Sequence, residues 1–99
     1  MPAYQVAICK ITNRTPGFME YVQKSAALMA KHGASYVVRG PAETVAEGDY
    51  LKGAAVIVSK WPSVDAAKTF YNSPDYQALK ALREGSGIYD IGIYPEAPQ

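Results

Sequence analysis

Four β-prone runs and two stretches of helical period follow one another in this chain in the order strand, helix, strand, strand, helix, strand, and few closed folds accept that order. Tyr4 to Ile11 (YQVAICKI) is rich in β-branched residues and is bounded by the turn formers Thr12 and Asn13. Thr15 then offers an N-cap with Pro16 at the first helical position, and Phe18, Val22, Ser25 or Ala26, and Met29 recur at helical spacing until Gly33 stops the helix. Ser35 to Arg39 is a second strand, ended by Gly40–Pro41. Ala54 to Lys60 (AAVIVSK) is a third, and Ile88 to Tyr94 (IYDIGIY) is the last. In the long connection before the third strand, Thr44–Ala46 is predicted as a short extra strand, with Gly48 and Gly53 turning the chain. Pro95–Gln99 is predicted to fray.

The stretch Trp61–Arg83 holds two helix starts. Ser63 caps the first, Asp65 complements its dipole, and Val64, Ala67, Phe70 and Tyr71 share a face. The pattern restarts with Ser73 as cap, Pro74 at the first helical position and Asp75 behind it, and Tyr76, Leu79 and Leu82 carry the apolar stripe on. Proline disfavours helical geometry in the residue before it, which places a bend at Asn72–Ser73.

With right-handed crossovers, this order closes most simply as an α+β, ferredoxin-like βαββαβ domain spanning residues 1–99. It has a four-stranded antiparallel sheet with its helices on one face. The first strand is apolar on both sides, Tyr4, Val6 and Ile8 on one and Ala7, Cys9 and Ile11 on the other. Helices cover one side only, so a bare apolar face remains, and the expected solution is a homodimer packed sheet to sheet about a two-fold axis.

Composition narrows the classes of function. The chain has 99 residues, 48% of them hydrophobic and 19% charged, with a formal charge of +1, which gives no long-range attraction for nucleic acid or anionic membrane. One cysteine excludes an internal disulfide and a thiolate zinc cluster, and one histidine leaves no histidine-rich metal site, so no metal is expected. The N-terminus MPAYQ carries no signal core and no apolar run reaches membrane-spanning length, so a cytoplasmic address is expected.

The phrases VVRG, AEGD, WPSVDAAKTFYNSPDYQALKALR and IYDIGIYP together resemble the bacterial family called domain of unknown function 1330. The resemblance covers essentially the whole chain and rests most on Tyr-x-Ser-Pro-x-Tyr-Gln at Tyr71–Gln77. One departure is Lys60–Trp61, where relatives more often carry an acidic or apolar residue followed by Phe. The resemblance implies membership of the dimeric α/β barrel group, whose ferredoxin-like halves pair their sheets. It supplies no reaction.

Within those phrases the ligand-binding candidates are Arg39, Glu47, Tyr71, Ser73, Tyr76 and Arg83. A guanidinium has forked donors suited to a carboxylate or phosphate, a phenol can orient a carbonyl, and a buried glutamate can act as a base. Each has a structural reading beside it. Ser73 caps a helix, Tyr71 and Tyr76 fill an amphipathic face, Arg39 and Glu47 pair across a turn, and Arg83 answers a helix dipole. His32 stands at a helix end, and a haem-ligand role, known in the wider barrel group, ranks below that structural one; no cofactor is expected. Cys9 packs as a small apolar group.

Three readings of function remain. By analogy within the fold group, the first is a protein that holds a small, anionic metabolite in a helix–sheet cleft, either as a binding protein or as a cofactor-independent enzyme of the isomerase, cyclase or oxygenase type. The second is a non-catalytic dimerising module. The third, an RNA-binding sheet, lacks the basic–aromatic signature that such sheets carry.

Overall fold

A computed structural model describes residues 1–98. Its elements are β1 (Ala3–Ile11), α1 (Pro16–Lys31), β2 (Ser35–Pro41), β3 (Ala55–Trp61), α2 (Val64–Tyr71), α3 (Pro74–Lys80), a 3-10 turn (Ala81–Arg83) and β4 (Gly87–Pro95). The sheet order is β2-β3-β1-β4 with every neighbouring pair antiparallel, which is the ferredoxin-like arrangement. Local chemistry sets the boundaries. Thr15, Ser63 and Ser73 each accept from a backbone N–H three residues on, and Gly33 ends α1 at φ 82°. The bend expected at Asn72–Ser73 separates α2 from α3, and Ser73 Oγ both caps α3 and donates to the Phe70 carbonyl at 2.7 Å.

Two expectations are corrected. Thr44–Ala46 forms no strand. Instead the β2–β3 connection crosses to the helix-free side of the sheet, where the Tyr50 hydroxyl donates to Asp90 and the Lys10 ammonium lies 3.9 Å above the Tyr50 ring. The chain beyond β4 does not fray at once, because Glu96 N–H donates to the Pro2 carbonyl and its carboxylate accepts from Tyr4. Gln99 lies outside the described residues.

Register sorts the side chains onto two faces. Ala3, Gln5, Ala7 and Cys9 of β1 stand beside Trp61, Ser59, Ile57 and Ala55 of β3, and all four β1 residues are buried beneath the helices. The opposite face carries Val38, Val58, Val6 and Gly92 in one row across all four strands, and its Val38 and Ile88 are 48% and 64% exposed. Thus the smaller side chains of β1 meet the helices, and the larger branched ones form the helix-free face.

The core is concentrated at one end of the helix–sheet interface. Trp61, Phe70 and Tyr76 stack with ring centres 4.8 and 4.9 Å apart, closed by Met29 and Ala67. The buried indole N–H of Trp61 donates to Ser59 Oγ at 2.9 Å.

Candidate functional site

The other end of that interface is hollow. Helix α2 lies directly on the sheet, whereas α1 packs chiefly on α3 and the 3-10 turn and stands off the strands. Beneath it the strands present Ala7, Cys9 and Ala55, too short to fill the gap. A cavity of about 220 Å³ results, roofed by Phe18, Tyr21, Val22 and Met29 of α1. Tyr36 hangs across from edge strand β2, its hydroxyl donating to Met29 Sδ at 3.7 Å. The exposed Arg39 guanidinium stacks 4.5 Å from the Tyr36 ring, at the cavity's rim, where Arg14 also lies.

Inside sits Arg83. Its residue is 7% exposed, its guanidinium lies 4.1 Å from the Tyr89 ring and 5.4 Å from the Tyr21 ring, and its Nη1 has no hydrogen-bond partner among the described residues. Three close approaches hold it there. Gly17 lets α1 come so near the 3-10 turn that a Cβ at this position would stand 2.4 Å from the Leu82 carbonyl oxygen. The Arg83 carbonyl accepts from Ser86 N–H at 3.2 Å and from the Ser86 hydroxyl, while the Ser86 carbonyl accepts from the N–H groups of Thr12 and Asn13 at 2.8 and 3.0 Å. Gly87 passes the Lys10 carbonyl so tightly that a Cβ would be 2.1 Å from its oxygen. The backbone of the turn that carries Arg83 is therefore fixed on both sides.

Around it the electrostatics are one-sided. Among the described residues no Asp or Glu lines the cavity, while Arg14, Arg39 and Arg83 do. The Tyr21 phenol is driven well above its ordinary pKa by burial, then by the Tyr76 hydroxyl with which it shares a 2.8 Å hydrogen bond. Burial raises the Tyr89 phenol and the Cys9 thiol as well, with the Arg83 charge opposing both shifts. These three groups stay neutral at pH 7, which leaves the buried guanidinium uncompensated. Each cation–π contact is worth about 0.5–1 kcal/mol when exposed and about 2 kcal/mol when desolvated, so two rings offset part of the several kcal/mol that desolvating an ion costs. The rings alone do not balance it. A second polar atom is also orphaned in the cavity wall, Oε1 of Gln5, whose residue is 7% exposed.

Of the six residues singled out in the sequence, the structure brings two to this cavity, Arg83 within it and Arg39 at its rim. Ser73 caps α3, Tyr76 is buried in the aromatic core, and Tyr71 packs against that core with its hydroxyl accepting from Lys80 at 3.1 Å. None of these three lines the cavity. Glu47 is exposed on the β2–β3 connection, away from the cavity lining, and Arg39 stacks on Tyr36 rather than pairing with it across the turn. His32 packs edge-on against Phe70 with ring centres 5.2 Å apart. Sequence reasoning passed over Gln5 and Tyr89. A signal for Gln5 was present, since it is the one long polar side chain in the alternation Ala3, Gln5, Ala7, Cys9. The chain belongs to the family described as domain of unknown function (DUF1330), whose model matches residues 2–96.

No curated protein sequence matches it. Its fold is shared with solved structures of low identity. A protein of unknown function from Rhodopseudomonas palustris superposes with a TM-score of 0.72 at 17% identity, covering 98% of this chain and 84% of that one. SnoaB, a cofactor-independent oxygenase from Streptomyces nogalater, gives a TM-score of 0.68 at 12% identity over 99% and 95% of the two chains. A dimeric ferredoxin-like protein of unknown function from Thermobifida fusca gives 0.53 at 15% identity over 95% and 90%. These likenesses define the fold.

Proposed function

We propose that this protein works as a single-domain homodimer, each protomer capturing a small anionic metabolite in the cavity between α1 and the sheet. The observation that carries this reading is the buried Arg83 guanidinium, which among the described residues has no partner at Nη1 and no Asp or Glu beside it in the cavity lining. A bound anion supplies the missing counter-charge, and forked donors hold a carboxylate well. Any reaction there would use the same group, because a fixed guanidinium stabilises negative charge gathering on a bound oxygen. Likeness of fold to SnoaB supports chemistry of the cofactor-independent oxygenase, isomerase or cyclase kind. Pairing through the helix-free sheet face is supported by its valine row and exposed Ile88, and by the dimeric neighbour from Thermobifida fusca. A module that only dimerises would explain that face but not the charge left unpaired under α1.

The test is a thermal-shift screen of small carboxylates and phosphates against the wild type, Arg39→Ala and Arg83→Met, with folding checked by circular dichroism. At least one anion should stabilise the wild type, lose its effect in Arg83→Met and keep most of it in Arg39→Ala, whose charge is solvated. An anion effect that survives Arg83→Met, or no effect of any anion on the wild type, contradicts the reading.

A further inference from the structure

The two orphaned polar atoms have opposite character and stand at different places in the cavity. Arg83 offers donors and sits over Tyr89, which pairs with Cys9 in the sheet. Gln5 lies four positions back along the same strand, opposite Ser59 and Ile93. At a rise of about 3.3 Å per residue, Gln5 stands about 13 Å along β1 from Cys9, the strand position beside Tyr89. Both residues line the cavity between those positions. The lining is mainly apolar, with Ala7 and Ile57 from the strands and Phe18 and Met29 from α1, beside the hydroxyls of Ser25 and Ser59. A ligand that satisfies the whole cavity therefore has an anionic end, an apolar middle and a polar end.

Size and charge narrow it further. A dry cavity of about 150 Å³ accepts benzene, and this one measures about 220 Å³. The difference admits one ring bearing two small substituents. One buried guanidinium balances one negative charge, which suits a carboxylate better than a doubly charged phosphate ester. At the other end a hydroxyl meets the need of Gln5 whichever way its amide is turned, since a hydroxyl both donates and accepts.

From this juxtaposition we infer that the ligand is a monocyclic hydroxy acid, its carboxylate on Arg83, its ring between α1 and the strands, and its hydroxyl on Gln5. The inference rests on the anion-capture reading above and adds the ring and the second anchor to it.

Calorimetric titration with 4-hydroxybenzoate, 3-hydroxybenzoate, benzoate, phenol and inorganic phosphate tests it, on the wild type and on Gln5→Leu, with Gln5→Met as the second variant should Leu disturb folding. At least one hydroxybenzoate should bind the wild type about tenfold more tightly than benzoate, the worth of one well-made hydrogen bond. Phenol and phosphate should bind more weakly than either acid. In the Gln5 variant the hydroxybenzoate and benzoate affinities should converge. Equal affinity for hydroxybenzoate and benzoate in the wild type overturns the inference whether or not the variants fold, as does a preference that survives Gln5 replacement. Phosphate binding more tightly than the aromatic acids, with dependence on Arg83, overturns the ring and leaves anion capture standing. Failure of every anion to bind overturns both.

Discussion

Tyr21 shows how one buried side chain couples the cavity to the stability of the fold. Burial and the Tyr76 hydroxyl raise its phenol above the ordinary value of 10.0. Unfolded, it releases its proton near that ordinary value; folded, it holds it. The folded state therefore binds more protons above about pH 10, so this contribution is fully present below that pH and is lost as pH rises beyond it. Tyr89 and Cys9 shift the same way through burial. The urea midpoint of the wild type should fall between about pH 8 and about pH 10.5, and that of Tyr21→Phe should fall less. A steeper fall in the variant would show that Tyr21 is not the group responsible. At this scale the sequence was only partly legible. Arg39 and Arg83 looked alike as possible anion ligands, and Arg83 looked like an ordinary helix-end cation. Its burial depends on the close approach of Gly17, remote in the chain, and on Tyr89 across the turn, and no helical or strand period reports such an approach.

Elements were more legible, because caps and periods act over a few residues. Thr15–Pro16, Ser63 and Ser73–Pro74 begin the helices where their chemistry says they should. What periodicity does not show is the distance of a helix from the sheet. Helix α1 is held off the strands by α3 and the 3-10 turn, and the short side chains that leave the gap open, Ala7, Cys9 and Ala55, come from two separate strands and meet only after pairing. The missing strand at Thr44–Ala46 has a similar origin, since Tyr50 finds its partners Lys10 and Asp90 across the sheet. Gly17 tests how α1 is seated. In an ordinary helix, Gly→Ala stabilises by about 0.5–1 kcal/mol. Here the new Cβ meets the backbone oxygen of Leu82 at 2.4 Å, and overpacking costs about 1–3 kcal/mol. Gly17→Ala should therefore lower stability in chemical denaturation and weaken anion binding as the turn carrying Arg83 shifts. A stabilised variant would mean that α1 is not held against that turn.

The whole molecule has two unfinished surfaces, one inside and one outside. The order of elements was enough to give the fold and to show that the sheet has a side no helix covers. It did not show which side, since both faces of β1 read as apolar. Val58 lies mid-row between Val6 and Val38 on that side. Val58→Asp should convert the proposed dimer to monomers in sedimentation velocity at micromolar concentration, and a wild type already monomeric there would remove the proposed pairing. The inner surface makes the stronger demand, because it leaves a charge without a counter-charge. Thermal unfolding of wild type and Arg83→Met, at one protein concentration and with and without benzoate, examines that demand most directly. Without ligand the variant should be more stable by about 1 kcal/mol or more, melting several degrees higher at about 4–8 °C per kcal/mol. Benzoate should raise the wild type alone. A variant that melts lower than the wild type in the absence of ligand, yet still responds to benzoate, would contradict the account.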